Sequence, residues 1–396
     1  MSDRRCIVHM DLDTFFVSVE RLLDQSLVGK PVLVGGAAGR GVVASCSYEA
    51  RKFGIHSAMP MRTALRLCPE AVVVPGSYEQ YSQKSSEVTE IIREAVPVFE
   101  KASVDEFYID LSGMDRFFGS VKLAKELRQK IIRETGLNIS MGISENKTVS
   151  KIATGEAKPN NERQIHYGEE RAFLAPLSVR KIPMIGEKTT QKLETMGIRQ
   201  VSQLQAMGIT ALERDFGKQG KMIWEKANGI DRRPIIPYSE AKSVSSENTF
   251  GKDSNDGKKL ETNLITITEQ LSSTLRRRQQ MCACVTVKVR YADFDTHSLQ
   301  QHIPYTSADH HLIPVVKSLF RRLYDSHLPL RLIGVRLSAL VHGSYQIQLF
   351  EDTEQRINLY QALDRLNVKY GAKTVCRAAG VGLDRRRFNP FNGMEV

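Results

Sequence analysis

The chain has 396 residues, of which 41% are hydrophobic and 26% charged, with 56 Lys+Arg against 45 Asp+Glu and a formal net charge of +11. At about 100–200 residues per domain this length predicts two to four globular units with real cores, which excludes a disordered chain, and the basic balance favours a polyanionic partner, nucleic acid foremost. No 18-residue apolar run and no leader pattern occurs, so a cytoplasmic location is expected, and the scattered cysteines, Cys282-Ala-Cys284 included, form neither a zinc spacing nor a disulfide framework.

The first element is an apolar run from Cys6 that ends in acids, Asp11 and Asp13, which share a face if the strand persists. Helical periodicity follows from about Phe15 to Leu23, with Thr14 or Asp13 as its expected cap. Pro31–Gly35 and Gly41–Cys46 read as two strands around a glycine-rich turn. That turn lacks the Gly-Lys-Ser/Thr ending of a phosphate loop, which favours a hairpin. In the segment 47–54, Tyr48 and Arg51 stand three apart and share a face if helical, where a guanidinium and a phenol can hold a phosphate.

An amphipathic pattern covers residues 79–95, and a strand is expected over 105–111. There the adjacent acids Asp105 and Glu106 interrupt a half-buried pattern. Burying them uncompensated costs several kcal/mol, whereas a hard divalent cation with oxygen ligands removes the penalty. Set beside Asp11 and Asp13, they predict a carboxylate cluster on neighbouring strands. A helix over Val121–Thr135, with Leu123, Leu127 and Ile131 at four-residue spacing, and a strand over Leu137–Ile143 complete an α+β sheet covered on one face by two helices.

Residues 177–229 are helical in pattern, and Ile182-Pro-Met-Ile-Gly186 reads as the turn of a helix-hairpin-helix able to hold a DNA phosphate, with Lys188 and Lys192 close by. Met184 stands where the usual Pro-Gly-x-Gly turn has its first glycine. Residues 231–242 have the prolines and polarity of a linker. Beyond it come a helix at 259–278, strands at 282–291 and near 296–303, a helix at 309–325 and a strand at 331–340, which leave one sheet face free. Lys242, Lys252, Lys288, Arg290, Arg331 and Arg336 are candidate phosphate contacts there. Residues 343–350 alternate as an edge strand would, a helix is expected at 354–368, and the chain ends past a basic Arg385-Arg-Arg387.

Taken in order, His9-Met-Asp-Leu-Asp13-x-Phe15-Phe16, Tyr48-x-x-Arg51-Lys-Phe-Gly54, Ser57-Ala-Met-Pro60, Cys68-Pro69, Tyr81, Ser103-x-Asp105-Glu106, Gly142-Ile-Ser144-x-Asn146-Lys147, Lys158-Pro-Asn160 and Lys181-Ile-Pro183 resemble the Y-family translesion DNA polymerases, in their bacterial DinB-type branch. The resemblance runs from residue 4 to about 350. It implies a right-hand polymerase: a ferredoxin-like palm (1–21 and 77–168), small fingers (22–76), a helical thumb with a helix-hairpin-helix (169–230), a linker (231–242), an α+β little finger (243–342), and a clamp-binding motif with an extension (343–396). It further implies error-prone, template-directed addition of dNTPs to a primer 3′-hydroxyl by a monomer acting on primed DNA. The implied site holds two Mg²⁺ ions on Asp11, Asp105, Glu106 and the backbone carbonyl of Leu12, with Asp13 a neighbour and not a ligand. Tyr48, Arg51 and Lys158 match the triphosphate positions, and Phe16 the steric gate that excludes a ribose 2′-hydroxyl by volume. Tyr81 resembles a tyrosine near the nascent pair, and Gln346, Leu349 and Phe350 resemble the peptide that docks on the sliding clamp.

Overall fold

The computed structural model describes residues 4–36, 40–114, 119–343, 353–371, 374–375 and 377–378. They form two compact units that divide between Ser239 and Glu240. Gln346, Leu349 and Phe350, like Arg385–Arg387, lie outside the described residues.

The first unit begins with β1 (Ile7–Leu12) and α1 (Phe15–Leu23). The strand stops at Leu12, one residue short of the expected second acid, and Thr14 turns the chain with a left-handed φ of 42°. No side chain caps α1, contrary to expectation. The Asp13 carboxylate is engaged elsewhere, and the Ser18 hydroxyl donates to the Asp13 carbonyl at 2.6 Å. An insertion follows, with β2 (Val32–Gly35), β3 (Val43–Cys46), α2 (Tyr48–Arg51), α3 (Met61–Leu67) and β4 (Val72–Val74). β2 pairs antiparallel with β3, as a hairpin reading requires, and parallel with β4.

The chain then lays down α4 (Tyr78–Ala95), β5 (Phe99–Lys101), β6 (Glu106–Asp110), α5 (Ser120–Thr135), β7 (Ile139–Ser144), α6 (Lys147–Ala157) and β8 (Glu162–Gln164). These strands join β1 in a sheet ordered β5-β6-β1-β7-β8. Without β8 this is the split βαββαβ order of a ferredoxin-like sheet. Alternation divides the faces. Val8, Met10 and Leu12 of β1, with Phe107, Ile109, Met141 and Ile143 beside them, are buried on the side of α4 and α5, each worth about 1.5–3 kcal/mol. His9 and Asp11 point to the other face, which α6 partly covers. A Cβ at Gly142 would lie 2.1 Å from the Ser150 carbonyl oxygen, so only glycine lets α6 sit this close.

Helices α7 (Glu170–Leu174), α8 (Glu187–Thr195), α9 (Val201–Ala206), α10 (Ile209–Phe216) and α11 (Lys218–Ala227) close around Leu174, Val179, Leu193, Leu204, Leu212 and Ile223. The predicted hairpin is a tight turn in which the Ile185 amide donates to the Ile182 carbonyl at 3.1 Å. Met184 takes φ 75° there, at the position a type II turn reserves for glycine. The expected linker is no free tether over its first half. Ile235 is buried with Ile7 and Tyr108, Asp231 accepts from Thr148 at 2.8 Å, and the Ile236 amide donates to Glu100 at 2.8 Å. Two apolar residues inside a polar, proline-containing stretch were the overlooked signal.

The second unit comprises β9 (Ser243–Ser254), α12 (Gly257–Arg277), β10 (Gln280–Tyr291), β11 (Thr296–Thr306), α13 (Asp309–Leu323), β12 (Leu330–His342) and α14 (Thr353–Tyr370). Its sheet runs β11-β10-β12-β9, with Val285, Val287, Val289, Ile333, Val335 and Leu337 turned toward α12 and α13. Helix α14 folds back onto that helical layer. Arg276 ion-pairs with Asp364 at 2.7 Å and with Asp309 at 2.8 Å while its guanidinium lies 4.7 Å from the Tyr360 ring centroid.

Candidate active site

Register places the acids. β1 pairs with β6 so that Asp11 stands directly opposite Glu106, and the Leu12 amide donates to the Asp105 carbonyl at 3.0 Å. Asp105 lies just before β6, in a turn that the Ser103 hydroxyl fixes by donating to its carboxylate at 2.5 Å. Each of the other two acids holds a lysine from the α6 side: Lys158 donates to Asp11, and Lys151 lies 2.5 Å from Glu106. Asp11 is 16% and Glu106 24% exposed in their side chains, so both can be reached from solvent.

The electrostatics differ from one carboxylate to the next. Burial pushes Asp11 up to about 7 against the pull of Lys158, with Asp105 and Glu106 adding to the rise. Burial likewise raises Asp105, opposed by the Ser103 hydroxyl. Burial acts on Glu106 too, but His9 and the Lys151 ammonium outweigh it and hold the group at about 2. His9 itself is driven down to about 4 by burial, hence neutral at pH 7. Its Nδ1 lies 2.8 Å from the Thr154 hydroxyl, and its Nε2 lies 3.9 Å from Glu106.

Among the described residues no three His, Cys, Asp or Glu side chains form a ready metal cage. The donor chemistry nonetheless fits a hard divalent cation. The three acids offer only anionic oxygen, and two of them already hold a cationic partner. With all three ionised, three carboxylates face two ammoniums and the cluster is short of positive charge.

The residues matched to nucleotide roles cluster around these acids unevenly. The Tyr48 hydroxyl donates to Asp13 at 3.1 Å, and burial, then Asp13, raise its pKa. Arg51 is exposed, its guanidinium 4.9 Å from the Tyr48 ring centroid. Phe16 is half-buried and stacks on Tyr81, with centroids 4.3 Å apart and planes 13° from parallel. Tyr81 is fully buried and donates to Glu20, which makes it the floor beneath Phe16, while Phe15 belongs to the core. Lys151 and Ser140 went unnoticed in the sequence, and Asn160 entered only as the end of the Lys158-Pro-Asn160 motif. For Lys151 a signal existed: it precedes Lys158 by seven residues, two turns along one helical face.

The candidate DNA contacts are dispersed. In the first unit Lys192 folds over the Phe216 ring and donates to the Asp215 carbonyl, while Lys188 lies in the first turn of α8 beside the hairpin. In the second unit, Lys288, Arg290 and Arg336 occupy the sheet face turned away from the helices, together with Thr286 and Ser338. Lys288 is paired with Glu247 at 2.8 Å, Arg290 donates to the Thr296 hydroxyl at 2.8 Å, and Arg331, at a bulge, lies 4.3 Å from the Phe294 ring centroid.

Residues 10–155 match the impB/mucB/samB family, residues 241–349 that family's C-terminal domain, and residues 180–231 the DNA polymerase-iota thumb domain. The chain is 39% identical over 379 residues to the DNA polymerase IV of Dehalococcoides mccartyi strain CBDB1, covering 95% of this chain and 97% of that one. It is 40% identical over 345 residues to the DNA polymerase IV of Alkalilimnicola ehrlichii, covering 86% and 96% respectively. Among solved structures it resembles a Y-family DNA polymerase chimera of Dbh and Dpo4, with a TM-score of 0.78 and 26% identity over 85% of this chain and all of that one. It also resembles the insertion ternary complex of Dbh DNA polymerase, with a TM-score of 0.62 and 25% identity over the same shares. The chain therefore belongs to the impB/mucB/samB family, within the Y-family DNA polymerases.

Proposed function

We propose the following assignment for this DNA-directed DNA polymerase of translesion synthesis: it adds dNTPs to a primer 3′-hydroxyl on a DNA template, with the acid cluster as the reacting centre. The observation that carries the assignment is the pairing of Asp11 with Glu106 across β1 and β6, Asp105 adjacent, with lysines as counter-ions on the α6 side. Asp11, Asp105, Glu106 and the Leu12 carbonyl would hold two divalent ions, taken to be Mg²⁺. When bound, such ions lower the pKa of a primer hydroxyl and neutralise charge on the triphosphate and the leaving pyrophosphate. Lys158 and Lys151 pair with Asp11 and Glu106 and favour the ionised form of each acid. Arg51 and Lys158 hold the triphosphate, with the Tyr48 ring beneath the Arg51 guanidinium as part of the same site. The Phe16 ring, braced by Tyr81, closes the space a 2′-hydroxyl needs.

The domain assignment is the palm at 1–21 and 77–168, fingers at 22–76, thumb at 169–230, linker at 231–242 and little finger at 243–342. Small fingers press weakly on the nascent pair, which supports tolerance of damaged templates at the expense of fidelity. Lys188, Lys192, Lys288, Arg290, Arg331 and Arg336 meet DNA phosphates, the last four as a diffuse field on the little finger. Gln346, Leu349 and Phe350 are the assigned clamp contact, and the working enzyme is a monomer in the cytoplasm. Among the described residues no helix is long and apolar enough to cross a membrane.

Primer extension with dNTPs and Mg²⁺ tests the assignment, with Asp105→Ala and Glu106→Ala as comparators. Extension by the unaltered chain and its loss in both variants is the expected result. Equal extension by all three would remove the cluster from the chemistry.

A further inference from the structure

Asp13 is a buried acid with an unusual set of partners. Its side chain is 3% exposed, and both carboxylate oxygens are engaged. Oδ1 accepts from the Tyr48 hydroxyl at 3.1 Å and lies 3.0 Å from the Ser140 hydroxyl, while Oδ2 lies 2.9 Å from that hydroxyl and accepts from the Asn160 amide at 2.6 Å. The Lys158 ammonium lies 3.9 Å from Oδ1. These partners come from α2 in the insertion, from β7 in the large sheet, and from the turn after α6. Asn160 is further fixed there, because its backbone takes a left-handed φ of 46° and its side-chain oxygen accepts from Arg128 at 2.6 Å.

We infer that Asp13 is a positioning residue for the incoming nucleotide: it ties Tyr48, and through it Arg51, to the Lys158–Asn160 turn, setting the two sides of the triphosphate site at a fixed separation. The inference rests on the assignment of Tyr48, Arg51 and Lys158 to the triphosphate. A hydroxyl has a single proton, and Tyr48 spends its proton on Asp13. The ring is thereby held as a platform 4.9 Å beneath the Arg51 guanidinium. Without the carboxylate, these parts must be ordered by the nucleotide itself, at the cost of its binding energy. Asparagine substitutes poorly: with its one acceptor oxygen on the Asn160 amide it can only donate to the Tyr48 hydroxyl, which frees the phenol proton and forfeits the charge-assisted bonds.

The test is single-nucleotide incorporation by the full chain, comparing Asp13→Asn, Tyr48→Phe and the double variant. Asp13→Asn and Tyr48→Phe are each expected to raise the KM for dNTP about tenfold, the effect of one charge-assisted hydrogen bond, with kcat held within about threefold. The double variant is expected to be no worse than the more affected single variant, because both remove the same link. Melting temperatures taken alongside separate positioning from lost fold, which lowers the active fraction and leaves KM unmoved. If Asp13→Asn melts below the assay temperature, Tyr48→Phe and Ser140→Ala carry the test, each removing one partner of the carboxylate. Unchanged KM in the folded variants, or multiplied effects in the double variant, overturns the inference. If Arg51→Ala and Lys158→Ala also leave KM unchanged, the triphosphate assignment falls with it. If they raise KM while Asp13→Asn does not, the inference alone falls.

Discussion

Two sheets in this chain present polar side chains from one face, and they do so in opposite ways. On the first, Asp11, Asp105 and Glu106 are crowded together and partly desolvated, so that burial, with the neighbouring acids adding, drives one carboxylate up to about 7 against Lys158, while His9 and Lys151 hold its neighbour at about 2. On the second, Lys288, Arg290 and Arg336 are spread along two strands among neutral polar groups, with Lys288 partly offset by Glu247. Crowding makes a site whose members cannot be removed singly. Dispersal makes a field in which each charge matters little and salt matters much.

The largest expected effect probes the crowded site. Asp11→Asn should lower the single-turnover rate of incorporation by about 10³-fold or more, since a lost metal ligand removes several kcal/mol of transition-state stabilisation, while DNA affinity stays within about threefold. A parallel loss of DNA binding in an electrophoretic mobility assay would blur the distinction between the two sheets. Next comes Phe16→Ala, expected to reduce discrimination against ribonucleotides by about 10²-fold in competitive incorporation, because the barrier is steric and a methyl group leaves the volume open.

The two sheets should also respond differently to pH. Protonated Asp11 cannot bind metal, so divalent-ion affinity should be flat above about pH 8 and fall below pH 7, by up to about tenfold per unit. Calorimetric titration with Mn²⁺ between pH 6 and 8.5 reads this, and DNA affinity carried by arginine and lysine should stay level over the same range. At the dispersed face, Arg290→Ala and Arg336→Ala should each weaken primed-duplex binding by no more than about threefold at moderate salt and reduce the salt slope by about one. The smallest effect is expected at the hairpin. Met184→Gly relieves a left-handed backbone at a residue that is 71% exposed, for a gain near 0.5–1 kcal/mol in urea unfolding.

Much of this was written locally. Alternation in Ile7–Leu12 and around Phe107–Ile109 announces strands, and the acids that break the pattern announce a charged cluster, because strand periodicity and the cost of burying a charge are both readable from neighbours in sequence. The helices α4, α5, α12 and α13 were legible for the same reason, each within a few residues of its ends. The condition on which a shared face for Asp11 and Asp13 depended, that β1 persist through Asp13, is not met. Nothing in the pattern says that Thr14 turns into a left-handed conformation, and so the second acid leaves the strand for a pocket of its own.

By itself, the sequence determined a basic two-part α+β protein, its acidic strand ends, and the ordered motifs of its family. Only the tertiary structure decided which cation meets which acid, that Asp13 joins Tyr48 to Ser140 and Asn160, that Ile235 straps the start of the linker onto the first unit, and that α14 docks through Arg276. The reason is one of range. A periodic apolar pattern repeats within a few residues and leaves a signature, whereas a polar contact between Asp13 and Asn160 or Lys158 and Asp11 joins single residues some 147 positions apart. Their pairing follows from the register of the sheet and the seat of α6 upon it.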